Sequence, residues 1–95
     1  MIESEHGVFT LVHNHKDAFE MKTFNDRYVD YFNKFLYIVG DFSAQMLRLK
    51  GFHDKEEALI ADYLMESAVP NAPYFILKRV EQPKEVTGQN DEDLV

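Results

Sequence analysis

The chain contains no cysteine among its 95 residues, so disulfide bonds and thiolate chemistry are excluded. No apolar run approaches the roughly 20 residues of a membrane-spanning helix, so none is predicted. The first residues, MIESEHGVF, are acidic and lack the apolar core of a secretory signal. The four glycines are isolated, which excludes a glycine-rich phosphate loop. These absences favour a cytoplasmic protein that spans no membrane.

The composition fits one globular domain of ordinary size. Hydrophobic residues make up 45% of the chain and aromatic residues 14%, which argues against disorder over most of its length. Eight phenylalanines and five tyrosines supply most of the bulky groups for one core. We therefore expect a single domain over residues 1–80.

Negative charge is concentrated towards the end of the sequence. The net charge is −7, and residues 81–95 account for −4 of it, with five carboxylates against Lys84. The carboxylates are those of Glu81, Glu85, Asp91, Glu92 and Asp93. We expect residues 81–95 to form an acidic, disordered tail. The overall sign of the charge argues against non-specific affinity for DNA or anionic membranes.

An aromatic helix is predicted after a first strand at Val8–His13. Aromatic residues recur at helical spacing, which predicts one helix from about Glu20 to Phe35. The aromatic stripe comprises Phe24, Tyr28, Tyr31 and Phe35. A stripe of this kind is typical of a helix face that packs into the core.

Two strands and a tight connection are predicted next. The apolar run Leu36–Gly40 favours a second strand, Asp41–Ala44 a turn, and Gln45–Gly51 a third strand. Along the third strand, side chains alternate between two faces, so Arg48 and Lys50 share one face.

A second helix and a fourth strand complete the predicted domain. The helix begins at Asp54, where the sequence Asp54-Lys55-Glu56-Glu57 resembles a capping box. It ends between Ser67 and Pro73, because proline cannot continue a helix. The fourth strand is Tyr74–Val80, with Lys78 and Arg79 on opposite faces.

The element order β-α-β-β-α-β predicts an α+β fold. This succession is ferredoxin-like, with two helices on one face of a mainly antiparallel four-stranded sheet. It does not fix the strand order, and a different α+β layering is an alternative.

Three segments resemble the YutD-like family, which comprises small proteins of unknown function in low-GC Gram-positive bacteria. The segments are Asn33-Lys34 with Tyr37–Asp41, Leu47–Phe52 and Tyr74–Val80, and Arg27-Tyr28 also fits. The order, the spacing from Gly40 to Phe52 and the pairs Gly40-Asp41 and Lys50-Gly51-Phe52 all agree. The resemblance implies a small cytoplasmic protein and carries no activity, cofactor or catalytic residue.

The chain departs from the family pattern in two places. The pattern has Trp, Gly and Tyr in the turn after Asp41, where this chain has Phe42, Ser43 and Ala44. The connection from Phe52 to the second helix is also shorter. If the family's function lies in either segment, this member has altered it.

Few residues suggest a catalytic or a metal-binding function. Asp41 beside a turn could act as an acid, a base or a metal ligand, but satisfying backbone N–H groups of its turn is the simpler interpretation. His13 and His15 with His53 or Asp54 could hold a metal, yet no spacing matches a recognised zinc motif. We therefore predict no catalytic residue, metal ligand or cofactor.

The main non-core signal is a small basic surface on an acidic protein. The candidate binding surface comprises Asp41, Phe42, Arg48, Lys50, Phe52 and Lys78. Our first interpretation is a non-catalytic module that binds another protein through this surface. The first alternative is binding of RNA or a nucleotide by the same face, because basic groups interleaved with aromatic rings are typical of sheets that stack bases.

Two further points stay open at this level. A second alternative function is a small enzyme or metal site around Asp41 and His53. The oligomeric state is a monomer or a dimer paired through a free sheet edge.

Overall fold

The computed structural model describes residues 1–67 and 71–82. These residues form five strands, two α-helices and two 3₁₀ segments. The strands are β1 (Ile2–Ser4), β2 (Gly7–His15), β3 (Tyr37–Ser43), β4 (Met46–Phe52) and β5 (Tyr74–Glu81). The α-helices are α1 (Met21–Arg27) and α2 (Glu57–Ser67), and the 3₁₀ segments are Asp30–Lys34 and Asp54–Glu56.

All five strands form one antiparallel sheet in the order β1-β2-β5-β3-β4. The predicted α+β class is confirmed, but the predicted number of four strands is wrong. The additional strand is β1, which forms a tight hairpin with β2. The Ser4 hydroxyl donates to the Gly7 carbonyl at 3.2 Å and accepts the His6 N–H at 3.0 Å. These local bonds close the turn between β1 and β2. The first residues are only weakly apolar, so the sequence did not predict a strand there.

The two helices pack on opposite faces of the sheet, so the prediction of both helices on one face is wrong. Successive side chains of a strand point to opposite faces. On β3 and β5, Ile38 and Leu77 pack with α1, whereas Val39 and Ile76 pack with α2. The central strands are therefore apolar on both sides, and the sheet is the middle of three layers. This arrangement is the alternative layering that the element order left open.

The predicted long aromatic helix is two shorter segments. Helix α1 ends at Arg27, and Tyr28 and Val29 are extended before the 3₁₀ segment Asp30–Lys34 begins. Phe24, Tyr28 and Phe35 are buried as predicted, but Tyr31 is 60% exposed. The break in the helix turns the Tyr31 side chain away from the core.

Hydrogen bonds from Arg79 account for the interruption of the predicted helix after Arg27. Its guanidinium is buried on the α1 face and donates to the carbonyl oxygens of Phe35, at 3.1 Å, and Phe32, at 3.1 Å. It also donates to the Tyr28 hydroxyl at 2.7 Å and to the His6 carbonyl at 2.8 Å. Tertiary hydrogen bonds thus replace the regular bonds of a longer helix, and local periodicity could not foresee them.

The second helix is preceded by a short 3₁₀ turn, Asp54–Glu56. The Glu56 carboxylate accepts the His53 N–H at 2.7 Å, so the capping interaction lies one residue before the predicted Asp54–Glu57 box. Helix α2 runs to Ser67. The predicted disordered tail falls mostly on residues 83–95, which lie outside the described residues, while Glu81 belongs to β5. Over the part of the chain that the structure describes, neither helix is long and apolar enough to cross a membrane.

Candidate functional site

Asp41 and Arg48 form an ion pair across the β3–β4 ladder. The two residues lie directly opposite each other, and both side chains point to the α2 face. Arg48 donates through Nη2 to Asp41 Oδ2 at 2.7 Å and through Nε to Asp41 Oδ1 at 3.2 Å. This fork-to-fork geometry is the strongest form of an arginine–carboxylate contact. The pair holds a carboxylate that is fully shielded from solvent.

Helix α2 closes over this pair. The pKa of Tyr63, on α2, is raised by burial and by the negative charge of Asp41. The hydrogen bond and charge of Asp41 in turn raise the pKa of Arg48. Among the described residues, Asp41 is therefore enclosed between β4 and α2. Its partner is a strand arginine, whereas the sequence suggested the backbone of its own turn.

A second tyrosine contact fixes the beginning of α2. Tyr37 lies on the same sheet face as Asp41, four residues earlier on β3. Its pKa is raised by burial and by the charge of Glu57, the first residue of α2. Tyr37 and Tyr63 therefore both belong to the core that α2 forms with β3. The α2 face is consequently a packed interior surface along β3, whereas Arg48 and Lys50 of β4 stay exposed on the same face.

The six predicted surface residues do not form one surface. Asp41 and Phe52 are buried, and Phe52 packs beneath α2. Phe42 is half-buried on the opposite face, where it packs against the α1 core and lines an apolar pocket beside Ala18 and Pro73. Among the six, the exposed residues are Arg48, Lys50 and Lys78.

The exposed residues divide between two places. Arg48 and Lys50 lie on the edge strand β4 with Met46, which is 52% exposed. Lys78, on β5, lines an open groove at the end of the sheet that Arg48 and Lys50 do not reach. The surface of β4 therefore combines an apolar side chain with two cations.

The geometry does not favour base stacking or a metal site. Rings that stack bases must be exposed, yet Phe52 and Tyr37 are each 5% exposed. Across the described residues, no three His, Cys, Asp or Glu side chains group so as to hold a metal ion. Asp41 and His53 also lie apart, because Phe52 pairs with Tyr37, about 13 Å along β3 from Asp41 at the usual strand rise.

Comparison with known proteins assigns this chain to a family. The family described as "Putative antitoxin YutD-like" matches residues 3–78. The chain belongs to the YutD-like family. A curated relative, "Putative antitoxin YutD" from Bacillus subtilis (strain 168), is 39% identical over 89 residues, covering 84% of this chain and 98% of the relative. The solution NMR structure of protein yutD from B. subtilis matches with a TM-score of 0.76 and 36% identity, covering 94% of this chain and 89% of that one.

The residues that suggested the YutD-like family have structural roles. A methyl group at Gly40 would overlap the Phe75 ring, and one at Gly51 would overlap the Phe35 ring. Both strands thus need glycine where an aromatic ring lies flat on the backbone. The predicted family is confirmed, and its pattern around Asp41 and Arg48 describes how the sheet is assembled.

Sequence reasoning missed Arg79 and Tyr63. Arg79 follows Phe75 and Leu77 on one face of β5, so a cation continues an otherwise apolar row. That interruption was a usable signal, because a charge on a buried strand face requires polar partners. Tyr63 had no comparable signal, since it reads as one more apolar residue of α2.

Proposed function

We propose that this protein is a non-catalytic cytoplasmic module that binds another protein through the exposed edge of β4. The observation that supports the proposal is the β4 edge itself. Within the described residues, β4 pairs on one side only, with β3, so its outer backbone groups are available to a partner strand. Addition of a strand to a free sheet edge is a recurring mode of peptide recognition.

The side chains of β4 define the partner. Met46 and Lys50 are exposed beside the edge, and Arg48 keeps 42% of its side chain exposed while it holds Asp41. The exposed cation of Lys50 beside the edge favours a partner segment that carries a carboxylate opposite it.

The relatives' name supports a protein partner of a particular kind. The family and the B. subtilis protein are both described as a putative antitoxin. We propose that this chain acts in the same way, so that the protein bound at β4 is a toxin. On this view β4 provides the recognition surface, and the packed sheet and α2 hold that strand in register.

The test is capture of a partner from a cognate cell lysate with the tagged protein. The informative variant is Lys50→Glu, because Lys50 is exposed and reversal of its charge leaves the Asp41–Arg48 pair in place. The matched control is Lys22→Glu on the exposed surface of α1. We expect a specific protein to be captured by the wild type and the control and lost with Lys50→Glu. Equal capture by all three proteins would contradict the proposal.

Nuclease treatment of the lysate distinguishes protein binding from the alternative function, which is RNA binding. RNA binding by the cationic strand predicts capture that is lost after nuclease digestion and that weakens steeply with salt. Protein binding predicts capture that survives digestion. Because Arg48 holds a buried carboxylate, its substitution would alter folding and binding together and is unsuitable for this test.

A further inference from the structure

A groove at one end of the sheet gathers positive charge on this acidic protein. It lies where β3 begins and where β4 and β5 end. Besides Arg79, four of its lining residues carry basic side chains: Lys34, His53, Lys55 and Lys78. The acidic lining side chains are Asp54 and Glu81. Arg79 also lines the groove, but its guanidinium is occupied by carbonyl oxygens.

The three groove lysines are not matched by carboxylates. Within residues 1–67 and 71–82, the lysine that forms an ion pair is Lys22, which does not line the groove. Lys34 and Lys78 instead lie over aromatic rings, with Nζ at 4.5 Å from the Tyr31 ring centre and 6.0 Å from the Tyr37 ring centre. The groove therefore presents three exposed ammonium groups to an acidic ligand.

The chain supplies such a ligand. The last described residues, Glu81 and Gln82, themselves line the groove, so the following segment starts there. Residues 83–95 carry four carboxylates against one lysine, a net charge of −3. Thirteen residues span up to about 43 Å when extended, which is ample to cross a groove that the segment already adjoins. Tethering also gives the segment a high effective concentration at the groove.

We propose that the groove of Lys34, Lys55 and Lys78 is a docking site for the acidic segment 83–95 of the same chain. The segment covers Lys78 and neutralises the lysines, which leaves β4 as the cationic surface of the molecule. The interaction is electrostatic and exposed, so it is screened by salt. This inference does not rest on the proposed function, because it concerns a different surface and needs no partner.

A spin label tests the docking directly. The chain has no cysteine, so Asn90→Cys introduces a single attachment site for a nitroxide. In NMR spectra of the labelled full chain, we expect the amides of His53, Lys55 and Lys78 to lose most of their intensity, while that of Lys22 keeps it. At about 1 M salt, where the Debye length is about 3 Å, the lost intensity should return.

Two charge variants and a mixing control complete the experiment. Neutralising the segment with Glu85→Gln, Asp91→Asn, Glu92→Gln and Asp93→Asn leaves the described residues unchanged and should abolish the broadening. Reversal of the three groove lysines to glutamate should do the same, whereas Lys22→Glu with Arg27→Glu should not. Broadening that is uniform, or that survives neutralisation of the segment, would overturn the proposal. The mixing control combines an isotope-labelled chain without nitroxide and a chain at natural isotope abundance that carries the nitroxide. Broadening in this mixture would also overturn the proposal, because it would show docking between molecules.

Discussion

At the residue scale, two arginines that look alike in the sequence have different environments. Arg48 reaches from an exposed strand to neutralise a fully buried carboxylate. Arg79 is a buried cation held by three carbonyl oxygens and a tyrosine hydroxyl, with its guanidinium 4.7 Å from the centre of the Phe9 ring. A buried charge is tolerated only when its polar partners are present, so both sites should be sensitive to substitution.

Substitution of Arg48 should destabilise the fold much more than substitution of Lys50. Arg48→Ala leaves the Asp41 carboxylate buried without its cation, whereas Lys50→Ala removes an exposed side chain. The measurement is the free energy of unfolding in urea for both variants. The double variant Asp41→Asn/Arg48→Ala should recover part of the loss, because an amide costs less to bury than an unpaired charge. Equal stability of the two single variants would contradict the role of the pair.

Arg79→Met should lower the free energy of unfolding by about 3 kcal/mol or more. Each buried acceptor left without a donor costs about 1–3 kcal/mol, and Arg79 serves several. Urea unfolding measures the loss. Arg79→Lys is the matched control, since it keeps the charge but not the planar fork, and it should fall between Arg79→Met and the wild type. A fully stable methionine variant would show that these bonds do not hold the fold.

Stability should decline as the pH rises above about 10, and Tyr63 should be one cause. Burial and Asp41 raise the pKa of Tyr63 above 10.0, so above that pH the folded state keeps a proton that the unfolded state releases. This contribution is fully present below pH 10 and is lost as the pH rises through the folded pKa. Unfolding in urea across this range should show a shallower decline for Tyr63→Phe. Tyr28 and Tyr37, whose pKa values are also raised, should account for a remaining slope. An unchanged slope for Tyr63→Phe would refute the assignment.

At the element scale, the β3–β4 hairpin is closed by an unfavourable two-residue turn. Ser43 pairs with Met46, so the turn residues are Ala44 and Gln45, with φ of 52° and 66°. The sequence predicted a turn here but placed it at Asp41–Ala44. Positive φ at both positions is typical of a type I′ turn, which favours Asn-Gly.

Replacing the turn with Ala44→Asn and Gln45→Gly should stabilise the protein. A non-glycine residue in the left-handed region costs about 1–2 kcal/mol, so the free energy of unfolding should rise by about 1 kcal/mol. Thermal and urea unfolding of the double variant measure the gain. The reverse-order variant Ala44→Gly/Gln45→Asn is a control for composition, and it should stabilise less. A loss of stability in the Asn-Gly variant would indicate that the hairpin is closed differently.

Elements were more predictable from sequence than their arrangement. Strand-forming residues and short apolar runs located the strands that became β2 to β5, because both signals reflect local preferences of the chain. The break after Arg27 was not predictable from helical spacing, since it depends on Arg79, 52 positions later in the chain. The burial of Asp41 and Phe52 was not predictable for the same reason. In the sequence, the polar Asp41 and the aromatic Phe52 lie near exposed cations. They are buried because α2 packs over them.

At the scale of the whole molecule, the sheet separates two cores and leaves β4 at its edge. Insertion of β5 between β2 and β3 buries both faces of the central strands. The element order alone permits several layerings, so this placement could not be predicted. The consequence for function is that most of the sheet is enclosed and the β4 edge is exposed. Under the function proposed above, a partner strand would add along that edge.

Amide hydrogen exchange of the protein with and without its captured partner tests this central claim most directly. We predict that binding slows exchange at the outward-facing amides of β4, from Met46 to Phe52, while amides of β2 and α1 keep their rates. Strand addition requires this result, because new backbone hydrogen bonds protect the donors they use. Protection confined to α1, to the groove or to the β1 edge, with β4 unchanged, would contradict the account.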